Sequence, residues 1–437
     1  MDQPVRALAD MVNGATRLGA RAAELVLDCS AGHEIVVRRG RVLRQNALTE
    51  VTVTARCWLD GGKMGTAEVS SVDEVPMALE RALVAAGDAE PDPRSGPVSD
   101  VHPTVRGLGI DDLRYGAIDN ASRADVVLSA ERAARSADRA VTTGEFRYAD
   151  RRCRRVYLNT KGVTLEEYGT TYLAEGTVIG SDDRSDLRLD ERVEGRSFAS
   201  SASLPFGTSL AKRLSKVMRD GPTLSGKVRV MMPPRVSAAL FSKIGEVFGW
   251  PDPSESFLGR GAEGERIIHR KLHLVDDGSM PGALRTRAFD DRGCTPLPLT
   301  LLREGVFDQT FRTLEFGRSA DVPATGHMWG SRLSPNNLAL RQGTRSMSAL
   351  MSEHDQPTLL ADHFEDLDAL DLRTGHFRTR VSGVMRRGST DDGGVRRVTI
   401  EGNMLEILRG LVDIASDTDR IGHVDAPGML VDGFVVI

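Results

Sequence analysis

Cysteine is scarce in this chain of 437 residues, and the four cysteines (Cys29, Cys57, Cys153 and Cys294) form no CxxC pair. A small secreted domain held by disulfides needs a denser cysteine pattern, so this class is excluded. We expect four buried thiols that act as small apolar residues, in a chain that resides in the reducing cytoplasm.

The sequence also lacks long apolar runs and blocks of basic residues. No segment approaches the roughly 18 consecutive apolar residues of a membrane-spanning helix, and the opening MDQPVRALADMVNG has no charged leader followed by an apolar stretch. The formal net charge is −5 and the isoelectric point is about 6.0, whereas duplex-binding proteins usually carry a basic face. We therefore expect neither a membrane nor a nucleic acid as a partner.

The length and the balance of 40% hydrophobic and 27% charged residues indicate a globular protein with more than one core. We predict an α+β fold of two domains, each with an antiparallel sheet and flanking helices, the second richer in strands. The turn-forming Asp220-Gly221-Pro222 places the boundary near residue 220. The domains are then 1–220, with a central region at 105–220, and 221–437.

The spacing of apolar residues along the chain predicts the individual helices and strands. Apolar residues recur at helical spacing in residues 5–19, 75–86 and 122–139, and Ser122 is the expected cap of the last helix. Residues 51–59 alternate, which is typical of a strand with one wet face. In the second half we predict a helix over Val236–Phe248, a strand over Arg266–Val275, and a helix near Glu401–Ile414. The charged stretch Ser181–Arg196 indicates a solvated edge strand or loop.

Several local motifs have plain structural interpretations. The run Gly259–Gly264 satisfies G-x-G-x-x-G, but a polar turn precedes it and an apparent strand follows it, so nucleotide binding is disfavoured. His33-Glu34 opens like a zinc-protease motif but lies in a strand-like segment. His269 and His273 would lie too far apart on a strand to share a metal. The pairs Asp276-Asp277 and Asp290-Asp291 adjoin glycines and are typical of turns.

A set of short segments, taken in order, is a more specific signal of a protein family than the single motifs above. They are Ser256-Phe257-Leu258-Gly259, Gly264-Glu265, Asp276-Asp277-Gly278, Phe289-Asp290-Asp291-Arg292-Gly293, Glu304-Gly305-Val306, Thr325-Gly326, Asn336-Asn337-Leu338, Val398–Leu405 and Ala426–Gly433. Their order and spacing resemble the TldD/PmbA family, once called modulators of DNA gyrase. The first half fits too, since Trp58–Gly65 stands where the family has a Gly-rich hairpin. The resemblance covers nearly the whole chain.

The resemblance implies one of two kinds of subunit. TldD-type chains carry a zinc-binding HExxxH helix and a late cysteine ligand, whereas PmbA-type chains, also called TldE, lack them and pair with TldD to process peptides and unfolded segments. Here the positions of the two histidines and the general base hold Phe241, Glu246 and Ser242, and no cysteine follows Cys294. Arg292 replaces the Glu usual in the family's D-D-E-G turn.

We therefore expect a PmbA/TldE-like subunit with no catalytic residue, no metal ligand and no cofactor of its own, inactive alone. Zinc is expected in a TldD-type partner subunit, and a homodimer is the alternative where that partner is absent. The substrate would be a peptide or unfolded protein.

The candidate contacts for substrate or partner lie in turns where a backbone can approach closely: Thr325, Gly326, His327, Asn336 and Asn337. Plain turn chemistry is the other interpretation of these residues. Two further functions stay open. One is a stand-alone hydrolase that uses His269 or His273 with the aspartate pairs. The other is a binding protein that modulates a topoisomerase.

Overall fold

The structure is a computed structural model that describes residues 3–99, 101, 107–138, 141–183, 186–199, 206–261, 264–353 and 356–437. Parts of the segments predicted above lie outside the described residues, namely Arg139, Arg184, Ser185, Ala262 and Glu263. No helix of the described part of the chain is long and apolar enough to cross a membrane.

The first half is built on a six-stranded antiparallel sheet with the order β3-β2-β1-β4-β5-β6. The strands are β1 (Ala22–Arg38), β2 (Arg41–Trp58), β3 (Met64–Val69), β4 (Val141–Asn159), β5 (Thr164–Ser181) and β6 (Asp186–Gly195). The charged segment does form an edge strand, because β6 pairs only with β5 among the described strands. Its Leu187 and Leu189 are buried under a neighbouring helix.

In the described part of the chain, one face of this sheet is covered by the helices α1 (Gln3–Gly14), α2 (Val75–Gly87), α3 (Asn120–Ala137) and α4 (Phe206–Val217). Helices α1 and α2 pack on one end, against Val53, Ala55 and Cys57, and α3 and α4 pack on the other. The cap predicted for α3 is wrong: Asp119 caps the helix, because its carboxylate accepts a hydrogen bond from the Ser122 backbone N–H at 2.6 Å.

The prediction of one wet face fails at the end of β2. Arg56 and Trp58 point away from the helices, yet they are only 5% and 2% exposed. Arg56 donates to the backbone oxygen of Asp291 at 2.9 Å, and the Trp58 indole donates to Ser95 Oγ at 2.8 Å. The outer face of this sheet therefore packs against the second half of the chain.

The second half contains a ten-stranded sheet and a separate hairpin. The strands are β7 (Gly226–Met232), β8 (Leu274–Asp276), β9 (Leu299–Arg303), β10 (Val306–Phe307), β11 (Met328–Trp329), β12 (Arg332–Leu333), β13 (Leu338–Leu340), β14 (Thr358–Phe364), β15 (His376–Arg387), β16 (Thr390–Asn403), β17 (Leu411–Ile421) and β18 (Val424–Val436). Strands β7, β14, β15, β16 and β18 close into a ring, because β18 pairs with both β16 and β7. The α+β class is confirmed.

Four helices accompany these strands: α5 (Pro234–Ile244), α6 (Leu314–Ala320), α7 (Met347–Glu353) and α8 (Met404–Arg409). The predicted helix near 401–414 is shorter, because Asn403 caps its start and β17 begins directly after Gly410. The predicted strand 266–275 is wrong for most of its length. Residues 267–272 form turns in which Ile267 and Ile268 both donate to the Gly305 carbonyl, so only Leu274 and Val275 are in a strand.

Candidate functional site

Helix α5 is the segment at which the family resemblance places a zinc motif. Pro234 stands in its first turn, where a missing N–H costs nothing, and the helix ends at Ile244 before a 3₁₀ turn over Gly245–Gly249. Its apolar stripe, including Leu240 and Phe241, lies in the largest hydrophobic core of the second half. The face that would have to carry a ligand is therefore used for packing.

The residues on α5 do not fit a zinc ion. Phe241 has no donor atom and is fully buried. Ser242 offers only a weakly basic hydroxyl, and the exposed carboxylate of Glu246 pairs with Lys243 Nζ at 3.2 Å. Across the described residues, no group of three or more His, Cys, Asp or Glu side chains is arranged to hold a metal. This helix has lost the donor set on which zinc binding depends.

The five contact candidates lie beside α5, in a loop that packs on the 3₁₀ turn Gly245–Gly249 at the end of this helix. A Cβ atom added at Gly245 would come within 2.6 Å of the Leu338 side chain. Asp276, at the end of β8, joins this loop together: His327 Nε2 lies 2.8 Å from one carboxylate oxygen, and the Asn336 N–H donates to the other at 2.8 Å. Asp276 is fully buried and belongs to strand β8, whereas the aspartate pairs were predicted to lie in turns.

The other candidates extend this network. Asn336 Nδ2 donates to the Gly326 carbonyl at 3.1 Å, and the Thr325 hydroxyl accepts from the Arg312 N–H at 2.8 Å. The Asn337 amide donates to the Asp277 carbonyl and to Thr286 Oγ1. Thr325, His327, Asn336 and Asn337 are at most 1% exposed. This burial favours the interpretation as turn chemistry, and a contact role for these side chains stays a prediction.

Two arginines, Arg285 and Arg287, pack on Trp329 of the same loop, and no motif in the sequence predicted this contact. The Arg287 guanidinium lies 3.8 Å from the centre of the Trp329 ring, and that of Arg285 lies 5.3 Å away. Burial lowers the pKa of Arg287 to about 9. Burial and the charge of Arg285 lower the pKa of the neighbouring His423 to about 3, so this imidazole is neutral at physiological pH.

In the hydrolase alternative, Asp290 is engaged by the backbone of its own turn and of strand β11. Asp290 is buried, and its carboxylate accepts hydrogen bonds from the backbone N–H groups of Arg292, Cys294 and Met328 at 2.9–3.0 Å. It therefore stabilises its own turn. His273 adjoins Arg341 elsewhere in the fold, and no bond between His273 and Asp290 occurs in the part of the chain described.

The remaining motifs have ordinary surroundings. His33 and Glu34 lie on strand β1, as predicted, and His33 Nδ1 lies 3.1 Å from Asp150. Of the four cysteines, Cys57 and Cys294 are buried, whereas Cys29 and Cys153 are only half-buried. The prediction of four buried thiols is therefore right for two of them.

Buried ion pairs join the two halves around this region. Arg292 Nε lies 3.1 Å from Glu24 Oε1, and its Nη1 lies 3.0 Å from Glu315 Oε1. Burial alone would lower the pKa of Arg292, but the charges of Glu24 and Glu315 outweigh it and raise the pKa above its ordinary value. These two carboxylates explain how this chain accommodates Arg in a turn where the resemblance leads one to expect Glu.

Comparison with known protein families agrees with this fold. One family model, described as the PmbA/TldA metallopeptidase C-terminal domain, matches residues 225–437, and another, described as the central domain of the same metallopeptidases, matches residues 115–219. The two models describe neighbouring domains of one protein family. The chain belongs to the PmbA/TldD family, which confirms the resemblance drawn from its motifs.

The individual relatives are distant but span the chain. A protein named metalloprotease PmbA from Escherichia coli O157:H7 is 20% identical over 83% of this chain and 81% of its own length. A homologue from Haemophilus influenzae is 20% identical over 98% and 94%. A putative modulator of a DNA gyrase from Thermotoga maritima shares the fold with a TM-score of 0.88, at 20% identity, over 99% and 100% of the two chains. TldE from Thermococcus kodakarensis has a TM-score of 0.83, at 17% identity, over 98% and 99%.

Proposed function

We propose that this chain is a non-catalytic, PmbA/TldE-like subunit of a zinc metallopeptidase complex that processes peptides or unfolded proteins. The observation that carries the proposal is the state of α5. Phe241 is buried in the core where a zinc ligand would stand, and Glu246 pairs with Lys243. A chain of this family that cannot hold the metal contributes by binding and shaping, so the chemistry falls to another subunit.

The partner in this proposal is a TldD-type chain that brings the zinc, with a homodimer as the arrangement where that chain is absent. Both would act in the cytoplasm. Short strands in the second half, such as β11 and β12, which among the described strands pair only with each other, offer edges to which an extended peptide can bind through its backbone with little demand on sequence. Such tolerance suits a subunit that handles varied unfolded segments.

The test is a cleavage assay with a fluorescent unfolded peptide on three samples: this chain, a TldD-type partner, and their mixture. We expect no cleavage by this chain, and chelator-sensitive cleavage in the mixture that is far faster than with the partner alone. Metal analysis after dialysis should find no stoichiometric zinc on this chain. One tightly held zinc per chain would contradict the proposal.

The hydrolase alternative predicts that this chain cleaves the peptide by itself. Two variants test this prediction. Chelator-resistant cleavage by this chain alone, abolished by His273→Ala or Asp290→Ala, would establish the alternative. His376→Ala is the matched control, since His376 is an exposed histidine outside both motifs. Cleavage that survives both His273→Ala and Asp290→Ala would point to a contaminating enzyme, and equal loss in the control would point to a general effect of substitution on the fold.

A further inference from the structure

Strand β6 is an edge of the first sheet, and its outer side has no partner in the described chain. It pairs with β5 in a continuous register from Gly195, opposite Tyr172, to Asp186, opposite Ser181. No other described strand pairs with it. A row of backbone N–H and C=O groups therefore faces outward along the ten residues of β6.

The outward groups can be assigned from the turn between β4 and β5. The Asn159 N–H donates to the Val163 carbonyl there, and the register of the two strands is continuous from Phe146 to Leu158. Because direction alternates along a strand, the odd-numbered residues of β5 bond to β4 and the even-numbered residues bond to odd-numbered residues of β6. The groups that point outward from β6 belong to its even-numbered residues, namely Asp186, Arg188, Asp190, Arg192 and Glu194. No described residue bonds to these backbone groups.

Two cavities lie along this edge, one at each end. The first, of about 390 Å³, is lined by residues 191–194 of β6, the start of α4 and the turn 419–422 between β17 and β18. The second, of about 610 Å³, lies between the first half of β6 and residues 363–365, at the end of β14. Because the second half of the chain forms the far side of both cavities, a single extended chain fits beside β6, whereas a folded sheet would collide with these segments.

We propose that this groove between β6 and the second half binds an extended peptide segment as a seventh strand of the first sheet. The backbone of the segment pairs with the outward groups of β6, which demands no particular sequence. The charges of β6 then favour a segment whose alternate side chains are basic and acidic. The inference rests on the proposed function, because an unfolded peptide is the ligand which that function supplies, but it requires neither zinc nor a partner subunit.

The outward residues of β6 place their side chains on the face of the sheet opposite the helices. Leu187 and Leu189, which alternate with them, are buried in the core beneath α3 and α4. From the start of the strand to its end, the outward side chains are acidic, basic, acidic, basic and acidic. A neighbouring strand carries its side chains directly opposite these, so a segment with the complementary order forms a pair of opposite charges at each position.

The charged side chains of β6 are available for such pairs. Arg188 pairs with Asp190 at 3.0 Å, and Arg192 pairs with Glu194 at 2.9 Å, both within the strand. The side chains of Arg188, Asp190 and Arg192 are more than half exposed, and exposed ion pairs contribute little. Charges on an edge strand discourage pairing with strands that do not match them. The same side chains therefore disfavour most segments and favour a complementary one.

The intervening side chains of the bound segment point to the other face, toward the first cavity. Val193, Phe206 and Ile421 contribute apolar surface to the lining of this cavity. Small apolar residues between the charged ones suit such a lining, because they remove apolar surface from water.

The first test is binding of a fluorescein-labelled peptide, Lys-Thr-Glu-Val-Lys-Val-Glu-Thr-Lys, to the full chain, measured by fluorescence anisotropy. This sequence reads the same in both directions, so it complements β6 in either strand orientation. Because one added strand forms a small contact, we expect a dissociation constant of about 10–100 µM. A control peptide of the same composition, Lys-Thr-Lys-Val-Lys-Val-Glu-Thr-Glu, breaks the alternation of charge and should bind about three- to tenfold more weakly.

The second test localises the contact. Asp190→Pro removes an outward N–H that β5 does not use, on an edge strand that tolerates proline, and should weaken binding about tenfold. Asp190→Ala keeps this N–H and loses one charge, so it should weaken binding only about twofold. In residue-resolved hydrogen exchange, saturating peptide should slow the outward amides of Arg188, Asp190 and Arg192 of the wild-type chain. The inward amides of Leu189 and Glu191 should be slow throughout and in both variants, which controls for folding.

Each contrary result overturns the proposal: no binding, equal affinity for the two peptides, unchanged affinity in Asp190→Pro, or protection of amides elsewhere than in β6. The cleavage assay keeps this inference separate from the proposed function. Cleavage in the mixture while peptide leaves β6 unprotected would leave the proposed function standing and remove the groove. Protection of β6 without any cleavage in the mixture would do the reverse.

Discussion

The carboxylate of Asp362 is the clearest place to test how buried charge holds the two halves together. It lies on β14, and both of its oxygens are bound by Arg213 of α4, at 2.7 and 2.8 Å. Arg235 of α5 adds a third charged contact at 2.9 Å. Asp362 is 4% exposed, so no water replaces these bonds if the carboxylate is lost. The substitution Asp362→Asn keeps the shape and removes the charge.

The loss of stability expected for Asp362→Asn follows from the charges that remain after the carboxylate is removed. Without the carboxylate, two guanidinium groups lie close together, and burial together with the charge of Arg213 already lowers the pKa of Arg235 to about 10. Removing one partner of a buried ion pair costs about 3–5 kcal/mol. Arg213 keeps Glu191 as a second partner, so the lower end applies. We expect a loss of about 3 kcal/mol, roughly a hundredfold in the unfolding equilibrium.

A matched control exists in the same sheet. Asp432 binds Arg229 with the same two-pronged geometry, at 2.7 and 2.8 Å, but its side chain is 47% exposed. Asp432→Asn should cost no more than about 1 kcal/mol, because solvent screens an exposed pair. Urea unfolding followed by circular dichroism measures both variants. Equal losses in the two variants would refute the argument, since geometry without burial would then explain the stability.

The pH dependence of the same variant gives an independent check. Burial alone would raise the pKa of Asp362, but the hydrogen bonds from Arg213 and His363 and the charges of Arg213 and Arg235 hold it well below its usual range. A lowered pKa contributes stability above the unfolded value of roughly 3.9 and loses it as the pH falls toward the folded value. The difference between wild type and Asp362→Asn should therefore shrink in acid and stay constant near neutrality.

Two further predictions concern the core. Phe241→His places one zinc-type ligand on α5. We expect it to lower the free energy of unfolding in urea by about 3 kcal/mol and to bind no zinc, because the imidazole enters an apolar core without a partner. Unchanged stability or stoichiometric zinc would contradict this. Burial raises the pKa of Cys57 to about 12 and that of Cys294 well above its ordinary value. A thiol reagent at pH 8 should therefore leave both unmodified until urea unfolds the chain, and rapid labelling of either in the folded state would be the opposite result.

The local patterns of the sequence predicted most elements because they depend on neighbours in the chain. The alternation in residues 51–59 and the helical spacing in residues 75–86 reflect which side chains face an apolar layer, and both elements are present. Where an element depends on distant contacts, prediction failed. Residues 267–272 form turns because Gly305, more than thirty positions away, accepts hydrogen bonds from the N–H groups of Ile267 and Ile268 and donates one to the Leu272 carbonyl.

The turn geometry of the candidate residues was predictable, whereas their contacts were not, and a contact role for them stays a prediction. Gly326 and Asn336 are residues that mark tight backbone geometry. Nothing in the sequence paired His327 with Asp276 or placed Arg287 on Trp329. Those contacts depend on the path of the loop between strands, which neither spacing nor composition specifies.

On α5 the packing of an apolar side chain and the holding of a metal ligand exclude each other at position 241. An imidazole at position 241 would need an ion or a hydrogen-bond partner to balance its burial, whereas a phenyl ring contributes apolar area directly to the core. Once Phe241 is packed there, restoring one histidine alone costs stability before it can bind anything.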